Sequence, residues 1–170
     1  MTVKPLEKFF LLTRNRLARR PERGKLSSGL RSARIREWVS KRCERESGHF
    51  LEVGCGEGLL LEDLRDTELH LFGLDRDEII FRKGKSEKTF SGKRIRFFNG
   101  DAAQLPFPSN TFDWVVCVNV LLSMESEEVI RKALRELHRV CRKQGRVLLE
   151  FRNRWNPWTW ISYRTVRLYD

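Results

Sequence analysis

Three glycines at alternate positions behind a short apolar run constrain this chain more than any other feature. The run Phe50–Val53 contains one acidic residue, Glu52, and leads into Gly54, Gly56 and Gly58. An amphipathic stretch begins at the next residue, so the order predicts a β-strand, a tight turn and the start of a helix. Glycine lets a backbone approach a ligand closely, and a helix start presents free N–H groups. The pattern therefore favours a nucleotide-like ligand over an ordinary βα turn.

The glycine spacing narrows the chemistry of that ligand. A dinucleotide-binding fingerprint is Gly-x-Gly-x-x-Gly, whereas here the third glycine comes one residue early. Glu52 also adds negative charge beside the turn, which suits a cation better than a pyrophosphate. S-adenosylmethionine carries an ammonium and a sulfonium but no phosphate, and it fits this pattern. A nicotinamide cofactor, and with it an oxidoreductase, is disfavoured.

A second acidic residue follows at the distance expected of a βαβ unit. The apolar run Leu69–Leu74 ends at Asp75, 23 residues after Glu52. A carboxylate at the end of the second strand is placed to accept hydrogen bonds from ribose hydroxyls. The alternative is that Asp75 caps a following helix. Arg76 either flanks an adenine edge or is simply solvated.

A third predicted strand, Arg94–Phe98, runs into a Gly-Asp-Ala turn at residues 100–102. Asp101 is placed to meet an adenine amino group, or it is only a turn residue. The segment Phe112–Val120 has the nearly continuous apolar character of a buried parallel strand. It contains Asn119 near its end.

Together these segments resemble class I S-adenosylmethionine-dependent methyltransferases, and most closely their type 11 branch. The motifs are Glu52–Gly58, Asp75, residues 100–102 and Leu105–Asp113, and the resemblance covers residues 35–153. It implies that Glu52 and the first two glycines hold the methionine moiety, Asp75 the ribose, and Asp101 with Ala102 the adenine, while Asn119 lies near the reacting centre. The predicted cofactor-binding residues are Glu52, Gly54, Cys55, Gly56, Gly58, Asp75, Arg76, Asp101, Ala102 and Asn119.

The resemblance also implies an α/β fold, with a Rossmann-like, doubly wound and mostly parallel sheet. An amphipathic helix is expected over Glu125–Arg142, with Gly145 at its carboxyl end and a fifth strand over Val147–Phe151. Family members continue with two more strands, which the remaining residues are too few to supply. About five strands are therefore expected, with the last two missing. The edge of the fifth would then be exposed or covered by a partner chain.

The positive charge lies at the two ends of the chain. Residues 1–47 hold 14 Lys/Arg against 5 Asp/Glu, residues 48–150 hold 16 against 17, and residues 151–170 hold 4 against 1. The predicted organisation is a basic arm and linker (1–30), a methyltransferase domain (31–153) and an aromatic, basic tail (154–170). Within the arm, Leu6–Leu12 suits a helix on an anionic membrane surface, or an arm folded over the site. A linker is expected over Pro21–Gly29 and a helix over Ser32–Glu46.

Other classes of protein receive little support. No apolar stretch is long enough to span a membrane and no signal peptide is evident, so the expected location is the cytoplasm, with a peripheral position at a membrane left open. The four cysteines lack metal-binding spacing, which predicts reduced thiols and no metal site.

The expected activity is methyl transfer from S-adenosylmethionine to a small or lipid-like acceptor. The expected rim of the active site is Asn119–Met124, Arg152–Trp160 and the N-terminal helix, and no general base is evident. Two alternatives remain open. One is a nucleic-acid methyltransferase that uses the basic arms on phosphates and Trp155, Trp158 and Trp160 on bases. The other is an incomplete, non-catalytic domain that binds a partner.

Overall fold

The computed structural model describes residues 9–13, 25–77, 87–90 and 93–151. The elements along the chain are β1 (Phe9–Thr13), α1 (Lys25–Cys43), β2 (Ser47–Val53), α2 (Leu59–Asp63), β3 (Glu68–Asp75), β4 (Glu87–Phe90), β5 (Lys93–Asn99), β6 (Phe112–Cys117), a 3-10 turn (Leu121–Ser123), α3 (Glu127–Val140) and β7 (Cys141–Phe151). The tryptophans of the tail and the arginines of the arm lie outside the described residues.

The strands form one sheet in the order β1-β7-β6-β2-β3-β5-β4. All neighbours are parallel except β4, which runs antiparallel to β5. The predicted Rossmann-like arrangement is confirmed, since the five expected strands are β2, β3, β5, β6 and β7. From β2 the chain builds outward through β3 and β5, and then returns to build β6 and β7 on the other side. The carboxyl ends beside β2 are therefore a topological switch point, where open α/β sheets bind ligands.

Two apolar clusters cover the two faces of the sheet. Side chains of successive strand residues point to opposite faces. Phe50 and Leu148 pack with Ile35 of α1 on one face, and Leu51 and Leu149 belong to the cluster on the other. The first cluster also includes the α2 leucines Leu60 and Leu61, and the second includes the α3 residues Ala133, Leu137 and Val140. The result is a three-layer α/β/α domain.

Helix α3 carries the signals that its sequence predicts. The Ser126 hydroxyl accepts a hydrogen bond from the Val129 N–H at 3.3 Å, and two glutamates occupy the first turn. His138 and Arg139 lie in the last turn, where positive charge complements the helix dipole. No helix among the described residues is long and apolar enough to cross a membrane.

The edge of β7 holds the main difference from expectation. The sequence predicts that this edge is exposed or covered by a partner chain, but β1 pairs with it in parallel, from Phe9 against Val147 to Thr13 against Phe151. The expected helix over Leu6–Leu12 is therefore wrong where the structure describes it. An edge strand presents a row of unpaired N–H and C=O groups, and an apolar segment of the same chain satisfies them by adding a strand. Besides β1, the sheet has a second strand beyond the five expected ones, β4, which lies at the opposite edge.

Two boundaries also differ from the prediction. Helix α1 begins at Lys25, so it includes Lys25–Gly29 of the expected linker Pro21–Gly29, and it ends at Cys43 rather than Glu46. Gly145 lies inside β7 and not at a helix end. A Cβ at Gly145 would lie 2.9 Å from the Asp113 carbonyl oxygen and 3.0 Å from that of Phe112, so the residue permits close contact with β6.

Candidate functional site

The glycine turn follows β2 directly and is tied to the end of β3. The backbone N–H groups of Gly54 and Cys55 both donate to the carbonyl oxygen of Leu74, at 2.7 and 3.1 Å. Gly54, Gly56 and Gly58 have φ values of 76°, 49° and 79°, in the left-handed region that favours glycine. The turn is therefore fixed by the backbone of the neighbouring strand.

The three glycines serve different purposes. A side chain at Gly54 would overlap Val120, and a Cβ at Gly58 would lie 2.8 Å from the ring of Phe97. At Gly56 a Cβ would meet no protein atom within 4 Å. Two glycines are thus required by packing within the chain, whereas Gly56 faces open space. That space is where a ligand can approach the backbone of the turn.

Asp75 connects the glycine turn to the end of β3. Its Oδ2 accepts a hydrogen bond from the Gly56 N–H at 2.8 Å, and its Oδ1 accepts one from the Asp77 N–H at 3.0 Å. A carboxylate oxygen has two lone pairs, so each oxygen can accept a further hydrogen bond. The geometry is compatible with the predicted ribose role. The helix that Asp75 would cap in the alternative interpretation falls outside the described residues.

Glu52 is a buried carboxylate beneath the turn. Its side chain lies among the inner strands of the sheet, with Gly73 and Val116 as its neighbours in register. Burial raises the pKa of Glu52 well above 4.5; Arg36 opposes this shift, while the charges of Asp75 and Asp63 add to it. Oε2 has no hydrogen-bond partner within the described part of the chain. A ligand cation here would offset the desolvation of the carboxylate.

The third predicted contact region has a clear local role. Asp101 is exposed, and its Oδ1 accepts a hydrogen bond from the Ala103 N–H at 2.8 Å, as a turn-stabilising aspartate does. Ala102 is buried, and Arg76 has an exposed side chain with its carbonyl accepting from Asn99 Nδ2 at 3.2 Å. The turn role of Asp101 is thus present, and the adenine role stays a prediction.

Asn119 follows β6 and is the last of the predicted cofactor-binding residues along the chain. It is exposed, has a φ of 61°, and precedes Val120, the residue that a side chain at Gly54 would overlap. Because β2, β3, β5 and β6 are parallel, the residues that follow them meet at one edge of the sheet. The structure therefore brings the predicted residues to the carboxyl edge, although the cofactor role of each remains a prediction.

Residues 50–145 match the sequence profile of a methyltransferase domain. The chain belongs to the class I methyltransferase family. Demethylmenaquinone methyltransferase of Geobacillus kaustophilus is 29% identical over 120 residues, which are 68% of this chain and 50% of that protein. Sterol 24-C-methyltransferase of Pneumocystis carinii is 30% identical over 104 residues, 59% of this chain and 27% of that protein. The methyltransferase chain thus spans half or less of the length of these relatives.

A solved structure gives the same architecture. The PH0226 protein of Pyrococcus horikoshii superposes with a TM-score of 0.57 at 26% identity, covering 74% of this chain and 60% of that one. The fold of the described residues therefore agrees with the family relationship.

Sequence reasoning missed two buried residues near the candidate site, Gly73 and Cys117. A Cβ at Gly73 would lie 2.9 Å from both Cys55 Sγ and the Phe97 ring, so Gly73 lets the turn pack on β3. A glycine inside an apolar strand is a signal of such close approach. Cys117 is also buried beside Glu52, and burial together with that charge raises its pKa to about 12. Its thiol is therefore protonated at neutral pH.

Proposed function

We propose that this chain binds S-adenosylmethionine at the carboxyl edge of β2, β3 and β5 and transfers its methyl group to a small or lipid-like acceptor. One observation carries the cofactor part of the proposal. The N–H of Gly56 is held by Asp75, while the position of a Gly56 side chain is open. A backbone surface fixed in place and free of side-chain atoms is what close binding of a nucleoside requires.

The donor set fits the charge and shape of this cofactor. Glu52 would neutralise the ammonium group, Asp75 would accept from the ribose hydroxyls, and the turn at Asp101 and Ala102 would border the adenine. S-adenosylmethionine supplies an activated methyl group on its sulfonium. The chain then needs chiefly to position the acceptor in line with that group and to exclude water, because orientation accounts for much of the acceleration in such transfers.

Two observations support an apolar acceptor. The relatives described above are named for demethylmenaquinone and for a sterol. In addition, the exposed large apolar side chains of the described chain are Leu59, 47% exposed, and Leu122, 40% exposed. Leu59 follows the glycine turn and Leu122 lies shortly after Asn119. Exposed apolar side chains next in sequence to the site residues are compatible with an acceptor that has a hydrocarbon body.

Calorimetry with S-adenosylmethionine, its demethylated product S-adenosylhomocysteine, and NAD tests cofactor binding. We expect both sulfur ligands to bind and NAD not to bind. Gly56→Val should abolish binding, because its side chain would occupy the open space. Asp75→Asn should weaken binding by about 1.5–3 kcal/mol, the usual size for hydrogen bonds to a charged group. Asp77→Asn, two residues along and exposed, is the matched control and should bind normally.

Thermal melting of each variant without ligand shows whether the fold is retained. Binding of NAD alone by the wild-type chain would refute the proposal. A methyl-transfer screen with quinol and sterol acceptors then tests the second half. If the cofactor binds and neither kind of acceptor is methylated, the cofactor part of the proposal stands and the acceptor part is wrong.

A further inference from the structure

The carboxylate of Glu52 lies on the face of the sheet that α1 and α2 cover. Glu52 is two residues beyond Phe50 in β2, so the two side chains point to the same face. Phe50 packs with Ile35 of α1 and Leu61 of α2 in one apolar cluster. Glu52 is 8% exposed, and burying a carboxylate is unfavourable unless polar or charged groups compensate it. The helices on this face are therefore the place to look for such a group.

Helix α1 contributes a positively charged side chain beside this cluster. Arg36 follows the buried Ile35, and its Nε lies 3.0 Å from Oδ2 of Asp63, the last residue of α2. The two side chains are 27% and 40% exposed. Ion pairs that water can reach contribute little to the stability of a fold, because solvent and salt screen them. The contribution of this pair to stability is therefore expected to be small.

Charged and titratable groups of several elements act on Glu52. Burial raises the pKa of Glu52 well above 4.5; Arg36 opposes this rise, while Asp75 of β3 and Asp63 of α2 add to it. Cys117 of β6 also interacts with Glu52, but burial raises the pKa of its thiol to about 12, so the thiol is uncharged at neutral pH. Of these groups, Arg36 is the one that favours the charged form of Glu52.

The ion pair also keeps Arg36 from occupying the carboxylate that it stabilises. Among the described residues, the acidic partner of Arg36 is Asp63, and no hydrogen bond joins Arg36 to Glu52. The Oε2 atom of Glu52 accepts no hydrogen bond from this part of the chain. Arg36 thus stabilises the negative charge through space and leaves the oxygen available to a ligand.

We infer that Arg36, held by Asp63, is a positioning residue that keeps Glu52 negatively charged and accessible to the ammonium group of the cofactor. This inference rests on the proposed function and gives α1 and α2 a part in cofactor binding. The ammonium group needs a charged partner, because hydrogen bonds between ionised groups are much stronger than those to a neutral carboxyl group. Loss of Arg36 would favour the protonated form of Glu52, and loss of Asp63 would favour the charged form.

Calorimetric titration with S-adenosylhomocysteine between pH 5 and pH 8 tests this role. As pH falls, Glu52 gains a proton and binds the ammonium group less tightly, so affinity should decrease with a midpoint at the pKa of Glu52 in the ligand-free protein. Arg36→Met removes an attraction and should move this midpoint up by at least about 0.5 pH units. Asp63→Asn removes a repulsion and releases Arg36 toward Glu52, so it should move the midpoint down.

The two variants break the same ion pair, so a purely structural role of that pair would change binding in the same direction in both. Opposite shifts are expected only if the two charges act on Glu52. Arg36→Lys keeps the positive charge and should bring the midpoint back toward that of the wild type. Lys41→Met is the control, because Lys41 forms an exposed pair with Glu37 on the same helix and should not move the midpoint.

Methylthioadenosine is the ligand control, because it has the adenine and ribose of the cofactor but no ammonium group. Its affinity should not follow the titration of Glu52. If the wild type does not bind S-adenosylhomocysteine, both the proposed function and this inference are wrong.

Other outcomes concern Arg36 alone. Binding of S-adenosylhomocysteine without pH dependence, or with the same pH dependence as methylthioadenosine, would overturn the inference and leave the proposed function standing. So would midpoints that stay in place, or that move in one direction in Arg36→Met and Asp63→Asn. If Arg36→Met does not fold, Asp63→Asn still decides, because an upward shift or no shift in that variant contradicts the inference.

Discussion

Glu52 shows at the level of one residue how a residue of the candidate site can lower stability. Its carboxylate is buried beneath the glycine turn, and burial raises its pKa well above 4.5. Arg36 interacts favourably with it, but Asp75 and Asp63 repel it. Without a bound cation, the charged form of Glu52 is therefore destabilised in the folded state. Ionisable groups at functional sites are often destabilised in this way.

The raised pKa of Glu52 predicts that the stability of the fold depends on pH. A native pKa above the unfolded value means that the folded state keeps its proton after the unfolded state has released it. Glu52 therefore favours folding below pH 4.5, and that contribution is lost as pH rises through the native pKa. Glu52→Gln should remove this decline, so its free energy of unfolding at pH 8 should equal or exceed that of the wild type. Urea unfolding between pH 5 and pH 8 measures it.

The ligand provides the complementary measurement. Glu52→Gln should weaken S-adenosylmethionine binding at least about tenfold, or about 1.4 kcal/mol, because it removes the charge opposite the ammonium. Glu68→Gln is the exposed control and should alter neither property. If the free energy of unfolding of Glu52→Gln depends on pH as that of the wild type does, the pH dependence does not come from this carboxyl group.

At the level of elements, α3 holds the loop that follows Asp101. Glu136 Oε2 accepts a hydrogen bond from the Leu105 N–H at 2.8 Å. Arg139 donates to the carbonyl oxygens of Phe107 and Leu105, at 2.8 and 3.0 Å, and forms an ion pair with Glu136. This hydrogen bonding with Arg139 lowers the pKa of Glu136. The two side chains thus fix a loop whose first residues are predicted to border the adenine.

Removing the arginine should loosen that loop. Arg139→Ala leaves two carbonyl groups without a donor, and we expect a loss of about 2 kcal/mol, equivalent to roughly 4–8 °C in Tm. Arg131→Ala is the control, because Arg131 forms an exposed pair with Glu127 and should change stability by less than about 0.5 kcal/mol. Hydrogen exchange should rise at the Leu105 N–H in Arg139→Ala only. Equal melting temperatures of the two variants would show that the Arg139 contacts with the loop do not stabilise the fold.

At the level of the whole molecule, the net positive charge is concentrated in the two terminal segments of the chain. Residues 48–150 are nearly neutral, while the segments before and after them are strongly basic. Part of the basic arm nevertheless belongs to the sheet, because β1 pairs with β7. The arginines that follow β1 lie outside the described residues. Their sequence still predicts contact with an anionic membrane surface near the entrance of an apolar acceptor.

Vesicle binding tests this prediction without disturbing β1. The intact chain should sediment with phosphatidylglycerol vesicles at low salt and not with neutral ones. Four Arg→Gln changes at Arg14, Arg16, Arg19 and Arg20 should weaken binding by at least about tenfold, since each basic residue contributes about 1 kcal/mol near such a surface. Four matched changes to Gln at the exposed Arg131, Lys132, Arg135 and Lys143 are the control. Equal binding by the two variants would exclude a specific role of the arm.

The sequence by itself determined the parts of this protein that depend on neighbouring residues. Alternation of apolar runs with Gly54–Gly58, Asp75 and Asp101 predicted the parallel strands, their order along the chain and the edge at which we propose that the cofactor binds. Those features follow from local rules, because a strand, a glycine turn and a following carboxylate are adjacent in the chain.

The tertiary structure decided what depends on residues far apart. That β1 covers β7, that Gly56 alone among the three glycines of the turn faces open space, and that Arg36 of α1 pairs with Asp63 of α2 all depend on contacts between distant segments. The five residues of β1 fit a helix as well as a strand by pattern alone, and only the unpaired edge of β7 selects the strand. Short apolar segments take their conformation from the partner they pair with.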